Sequence, residues 1–360
     1  MGKASLHLIS GVGKKGPACF LLEAEGRRLL LDLGEGPPPG LLPDINAVGR
    51  VDAVVLSHGH RDHVGGLSLL PRLGNPPVYA TEIVGCGLPQ GIAIRTLPVG
   101  GTAEVLGLAV TTGRNGHAPG GVWLHFAIGG GLLYTGDYST ESPLYAYDLP
   151  TKHAATALID CSYSDYQKPL ADCWKQLVSY VERGPLLLPA PANGRGPEIA
   201  LELMRYGFRD VFIDDATHKA MRALCDGARI SLRADPDEIG RLTKAVKPID
   251  GPRGVMIAGS ADGTSGATKK LFEQWERATE PAIVFTGYVN PTTAADRLAK
   301  SGRAQAMRWN VHPLLSDTVT LVRAIEAKTA IPAFCDREKL SALAAALAPA
   351  RVTMDGPVEI

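Results

Sequence analysis

Over roughly the first 165 residues, short apolar runs alternate with Gly- and Pro-rich turns, a pattern that predicts β-strands. Ala18 to Ala24, a Glu25-Gly26 turn and Arg27 to Leu33 predict one hairpin. Val122 to Ile128, Gly129-Gly130-Gly131 and Leu132 to Thr135 predict another. After Asp165 the period changes. Trp174, Leu177, Val178 and Val181 recur at i, i+3, i+4 and i+7, which predicts a helix with a core-facing stripe. Three strand-loop-helix units follow: Pro185 to Pro189 with a helix from about Pro197, Gly254 to Ala258 with one from about Gly266, and Ala282 to Thr286 with one from about Thr292. Strands alternating with helices imply a parallel sheet covered on both faces. From about Trp309 the chain returns to a helix (Ser316 to Lys328), a short strand (Ile331 to Phe334), a helix (Glu338 to Leu347) and a last strand.

A length of 360 exceeds one ordinary core and implies about two domains. No apolar run is long enough to span a bilayer, and Met1 to Ser10 lacks the apolar core of a secretory signal, so a cytoplasmic protein without membrane contact is expected. The six cysteines form no C-x-x-C pair, which argues for reduced thiols. Lys+Arg and Asp+Glu balance at 37 each, so no global field draws in nucleic acid, and any polyanion must be held by local groups.

The densest chemistry is Ser57-His58-Gly59-His60-Arg61-Asp62-His63, directly after the apolar run Val51 to Leu56. Imidazoles crowded at the end of a buried strand repel one another once protonated. A cation that accepts their lone pairs makes the crowding favourable, so His58, His60, Asp62 and His63 point to a metal site with enough donors for two ions. His117, in Asn115-Gly116-His117, and Asp137, in Gly136-Asp137-Tyr138, occupy strand ends flanked by glycine and are candidate further ligands. Asp32, ending the run Leu29 to Leu33, is expected to orient a histidine or the loop. Three loops, Ala192 to Pro197, Gly259 to Gly266 and Gly287 to Thr292, each place backbone N–H groups at a helix start, where an oxyanion is stabilised. Arg195, Ser260, Ser265 and Tyr288 are the side chains in them expected to bind substrate phosphates.

The ordered set Asp32, H-x-H-x-D-H, His117 and Asp137 resembles the metallo-β-lactamase superfamily. Ala157 to Tyr163, Pro189 to Glu198, the Gly259 to Gly266 loop and Phe285 to Tyr288 look like landmarks of its β-CASP branch, which contains RNase J and the pre-mRNA 3′-end cleavage endonuclease. The resemblance implies an α/β protein: an αββα sandwich (1–165 and 309–360) with an inserted parallel α/β β-CASP domain (166–308). It implies two Zn2+ ions, with Mn2+ as the alternative: His58, His60 and His117 on one, Asp62 and His63 on the other, Asp137 bridging. Asp160 would be the acidic residue beside the metals.

Two departures stand out. The branch carries a His in an S-x-H-x-D context that acts as general acid; here Trp309 to Asp317 offers His312 with Asn310 and Leu314 around it, or Leu315 if Asp317 is aligned. His312 is then either the proton donor or a surface histidine. After the strand near 331 the branch has a metal-binding His, where this chain reads Phe334-Cys335-Asp336. Cys335 or Asp336 replaces it as ligand, or Cys335 is merely buried. The resemblance implies hydrolysis of phosphodiesters in single-stranded RNA, with DNA as the alternative substrate, by a metal-activated hydroxide, with catalytic roles for Asp62, Asp32, Asp160 and His312. Two other readings stay open: a member that binds metal and nucleic acid or a protein partner with little turnover, and a di-zinc hydrolase of small esters or lactones. Oligomeric state is open, with a homodimer as one option.

Overall fold

Adjacent residues of the strand Cys19–Ala24 go to different layers: Phe20 and Leu22 join one buried cluster, Cys19 and Leu21 another. A pleated strand sends successive side chains to opposite faces, so an unbroken apolar run means that both faces are covered. The computed structural model describes residues 4–226 and 229–360, and in it this strand pairs antiparallel with Arg27–Leu31. Glu25 and Gly26 between them both have positive φ (51° and 73°), as a two-residue hairpin turn requires. The hairpin of Val122–Phe126 with Leu132–Tyr134 forms as well.

Among the described residues these hairpins belong to two seven-stranded sheets. The first runs Val358–Glu359, Ser5–Ser10, Cys19–Ala24, Arg27–Leu31, Ala53–Val55, Val78–Thr81, Ile94–Leu97. The second runs Arg351–Val352, Thr329–Ala333, Thr156–Asp160, Leu132–Tyr134, Val122–Phe126, Leu108–Arg114, Gly101–Val105. Phe20, Leu31 and Val55 of the first pack with Leu124, Phe126, Leu158 and Ile331 of the second. Leu67, Leu70 and Leu73 of the 3-10 helix Gly65–Leu73 cover the outer face of the first sheet. Leu321 and Val322 of helix Leu315–Ala324, with Leu343 and Leu347 of helix Leu340–Leu347, cover that of the second. The order helix, sheet, sheet, helix is the αββα sandwich. Each fully buried Leu or Phe in these layers contributes roughly 1.5–3 kcal/mol.

This sandwich is one of two compact units: it runs to Thr140, resumes over Ala146–Gln167 and closes with His312–Ile360. The other comprises Glu141–Tyr145 and Lys168–Val311. Its sheet is parallel throughout, in the order Lys247–Pro248, Val211–Ile213, Val255–Ala258, Leu186–Pro189, Ala282–Phe285, Ala304–Ala306. From Leu186–Pro189 the chain visits one side of the sheet first and the other afterwards. The loops after Pro189, Ala258 and Phe285 therefore open on one carboxyl edge around the switch point, where ligands bind in such sheets.

The structure adds elements that periodicity does not announce: the three-residue strand Val211–Ile213 and helices Asp215–Asp226 and Pro236–Ala245. The stripe on helix Leu170–Val181 is less buried than its spacing predicts. Leu177 and Cys173 are covered, whereas Trp174 is half-buried and stacks on Tyr206 at 4.3 Å between ring centroids. Phe334, read as strand, lies just past Thr329–Ala333 with φ +62°. No helix among the described residues is long and apolar enough to cross a membrane.

Candidate metal centre

The buried strand Ala53–Val55 delivers Ser57 and His58, both fully buried, and the chain then turns into the short helix Arg61–Val64. His60 caps that turn, its carbonyl accepting from His63 N–H at 2.9 Å and Val64 N–H at 3.0 Å. The turn folds the sequence cluster back on itself, so the rings of His58 and His63 lie 4.0 Å apart and those of His58 and His60 4.8 Å. His117 arrives from the end of Leu108–Arg114, with its backbone N–H donated to Asn115 Oδ1 at 3.0 Å. Asp137 follows the strand Leu132–Tyr134 across Gly136, whose φ is +54° and where a Cβ would meet Ser57 Oγ at 2.5 Å.

Asp32 is the hub behind these groups. It is fully buried at the end of Arg27–Leu31, with φ +57°. Its Oδ1 accepts from Ser57 N–H (2.7 Å), and its Oδ2 accepts from Ser57 Oγ (2.6 Å), Tyr134 OH (2.5 Å) and His63 Nδ1 (2.7 Å). A carboxylate can accept this many donors, and by holding the Nδ1 proton of His63 it leaves the Nε2 lone pair of that ring for a metal.

Three overlapping groups of ligand atoms result, each within 4.8 Å: His58, His60, His117; His58, His63, Asp137; and His117, Asp137, His312. His58 Nε2, His63 Nε2 and Asp137 Oδ1 are buried and make no hydrogen bond, although His63 Nε2 lies 3.2 Å from Asp137 Oδ1, within reach but without the geometry. Buried polar atoms are seldom left without a partner, so orphans converging on one spot are what a divalent cation would satisfy. The donor set is nitrogen and carboxylate oxygen, which suits zinc or manganese.

The electrostatics fit His58 as a neutral donor, whereas an ion at His63 Nε2 would have to displace a proton. Burial and the neighbouring His63 and His60 hold His58 well below the usual imidazole range, so it is neutral, as a candidate ligand must be. Burial alone would lower His63, but the Asp137 and Asp32 carboxylates overrule it and raise it well above that range. Burial would raise Asp137; His63, His312 and His117 instead hold it well below the carboxylate range.

His312, one of two readings in the sequence, is not a surface residue. Its side chain is 10% exposed, and Nδ1 lies 2.8 Å from Asp160 Oδ2 and 3.8 Å from Asp137 Oδ2. Asp160, fully buried at the end of Thr156–Asp160, also accepts from Ser162 N–H at 2.8 Å. Asp62 and Cys335 belong to none of the three groups. Cys335 packs into the apolar layer with Leu343 and Leu347, its thiol pushed up to about 12 by burial and then by Asp160 and Asp336. Asp336 is exposed. The residue of that segment which does reach the cluster is Phe334, whose ring sits edge-on to His63 at 5.2 Å. The sequence gives no sign of this, because a phenyl group carries no ligand atom to notice.

In the second unit, Arg195 starts helix Arg195–Arg205, and its guanidinium packs so closely over Gly287 that a Cβ there would meet Nη1 at 2.0 Å. Ser260 Oγ donates to Asp262 Oδ1 at 2.5 Å, and Asp262 also accepts from Thr264 N–H and Oγ1. That loop therefore turns around an acidic hub, less suited to a phosphate than its Gly and Ser content implies. Ser265 and Tyr288 are exposed.

Comparison with known proteins places this geometry. A model described as the metallo-β-lactamase superfamily matches residues 12–181. The chain is similar to Ribonuclease TTHA0252 of Thermus thermophilus, 31% identical over 75% of this chain and 76% of that protein. It is similar to Transcription termination factor FttA of Methanosarcina mazei, 26% identical over 81% of this chain and 57% of that one. The chain thus spans about half the length, or less, of the curated relatives it matches first. A crystal structure of a protein of unknown function from Enterococcus faecalis V583 shares the fold over both whole chains, with a TM-score of 0.62 at 14% identity. Family and buried His/Asp cluster together mean that the protein uses a metal. The chain belongs to the metallo-β-lactamase superfamily, in its β-CASP branch.

Proposed function

We propose that this protein is a zinc-dependent phosphodiesterase that cleaves single-stranded RNA in the cytoplasm, as a monomer or a homodimer, with DNA as a poorer substrate. The observation that carries the reading is the convergence of the orphaned His58, His63 and Asp137 atoms beside the His312–Asp160 pair. His58, His60 and His117 would hold one ion, and His63 with Asp137 a second. When bound, such ions supply Lewis-acid charge that activates a water and neutralises a phosphoryl oxygen.

The remaining chemistry belongs to the chain. Asp32 fixes the His63 ring by its Nδ1 proton. Asp160 accepts the Nδ1 proton of His312 in the same way, which fixes the ring and would leave Nε2 to pass a proton to the departing oxygen. Arg195 in the second unit would pair with a backbone phosphate, for which a guanidinium is suited.

The test is hydrolysis of 5′-labelled single-stranded RNA. Wild type should give products that chelator abolishes, and His60→Ala none. His312→Ala should keep its metal but cleave about 10²- to 10⁴-fold more slowly. Equal, chelator-insensitive cleavage by wild type and His60→Ala would remove the proposal. The relatives named as ribonuclease and endoribonuclease support RNA over small esters as the substrate.

A further inference from the structure

The two halves of the cluster are unequally furnished. The first group has three imidazoles from two elements: His58, His60 and His117. The second has His63 and Asp137 and otherwise borrows His58 from the first. Against the His63 ring, from just past the strand Thr329–Ala333, stands Phe334, edge-on at 5.2 Å.

Phe334 is held in that place by several independent contacts. Its N–H donates to Gly11 O at 2.7 Å, the residue is 5% exposed, its ring packs edge-on to Phe20 at 6.2 Å, and a Cβ on Gly11 would meet that ring at 3.1 Å. Its φ of +62° turns the chain sharply out of the strand, and Cys335 beyond it packs into the apolar layer instead. The ring therefore sets carbon, and no ligand atom, against the His63 imidazole.

We infer that the protein holds one divalent ion tightly at His58, His60 and His117, and a second at His63 and Asp137 far more loosely, because that pair has no imidazole partner of its own besides the shared His58 and its neighbour Phe334 supplies carbon instead of a donor. The inference rests on the metal-dependent reading above. Loss of a group that merely orients a ligand costs 10- to 100-fold in affinity, so absence of a ligand should separate the two dissociation constants by at least about 100-fold.

The full chain is stripped with chelator, titrated with Zn2+ in competition with a chromophoric chelator, and its metal content measured after gel filtration in metal-free buffer. One equivalent should be retained and the second should titrate at least about 100-fold more weakly. His, which tolerates positive φ better than most residues, is the informative replacement: Phe334→His should retain two equivalents. His63→Ala should lose only the weak step and His117→Ala the tight one, so the inference stays testable even if Phe334→His fails to fold. Two equally tight equivalents in wild type, a folded Phe334→His that still retains one, or loss of the tight step in His63→Ala would each overturn it while leaving the metal centre standing. Failure to bind any ion would overturn the metal centre and this inference with it.

Discussion

Asp32 holds Ser57, Tyr134 and His63 with two oxygens, so it sets the position of a candidate ligand without contributing one. In Asp32→Asn the amide nitrogen would confront donors where Oδ2 now accepts from three. Metal affinity should fall about 10- to 100-fold with His63 misaligned, as read by competition titration; unchanged affinity would show that the hub is dispensable. The candidate ligands His58, His60 and His63 are legible in the sequence because they stand side by side after an apolar run. His312 is half legible: an imidazole is there, but its neighbours Asn310 and Leu314 give no reason to expect an Asp160 partner 152 residues away. Phe334 is not legible, since its effect is to supply nothing.

At the scale of elements, close backbone approaches position the loop. Gly34 is bracketed by two clips, Gly34 N–H to Ala18 O at 2.9 Å and Ala18 N–H to Asp62 O at 2.8 Å, and a Cβ on it would lie 1.8 Å from Asp62 O. Because that obstacle is backbone, Gly34→Ala should destabilise by about 1–3 kcal/mol or more and weaken metal retention, measured by denaturation and metal content. In the second unit, helix Arg195–Arg205 buries Glu198, which accepts from Ser142 Oγ at 2.5 Å and Trp309 Nε1 at 2.6 Å. Burial pushes its carboxyl up to about 7 against the pull of these donors and Arg195.

Below the ordinary glutamate range the folded and unfolded chains both keep that proton. Between there and about 7 only the folded chain does, so stability falls as pH rises, by about 3 kcal/mol once pH exceeds 7. Urea midpoints of wild type should drop across this window, and Glu198→Gln should lose that part of the slope; parallel pH profiles would contradict the assignment. Long amphipathic or fully apolar segments were readable as elements, including both hairpins and three strand-loop-helix units. Val211–Ile213 was not, because three residues are too few for a period to register.

For the whole molecule, balanced charge sets how the proposed RNA substrate would be held. With 37 basic and 37 acidic residues no long-range field gathers a polyanion, and affinity must come from a few local contacts. Arg195→Ala should therefore weaken RNA binding to a similar degree for every sequence and reduce the slope of log K against log salt by roughly 0.7. An unchanged slope would mean that Arg195 serves packing over Gly287 alone. The αββα order was legible only through the resemblance of the metal loop to a family, because periodicity by itself predicts strands and helices without saying which sheets face each other.

The central claim, that these side chains gather a divalent metal, is tested most directly by crystals of the zinc-loaded full chain measured on either side of the zinc absorption edge. The account predicts an anomalous peak enclosed by His58 Nε2, His60 Nδ1 and His117 Nε2. A map without a peak there, with those nitrogens turned away from one another, would contradict it.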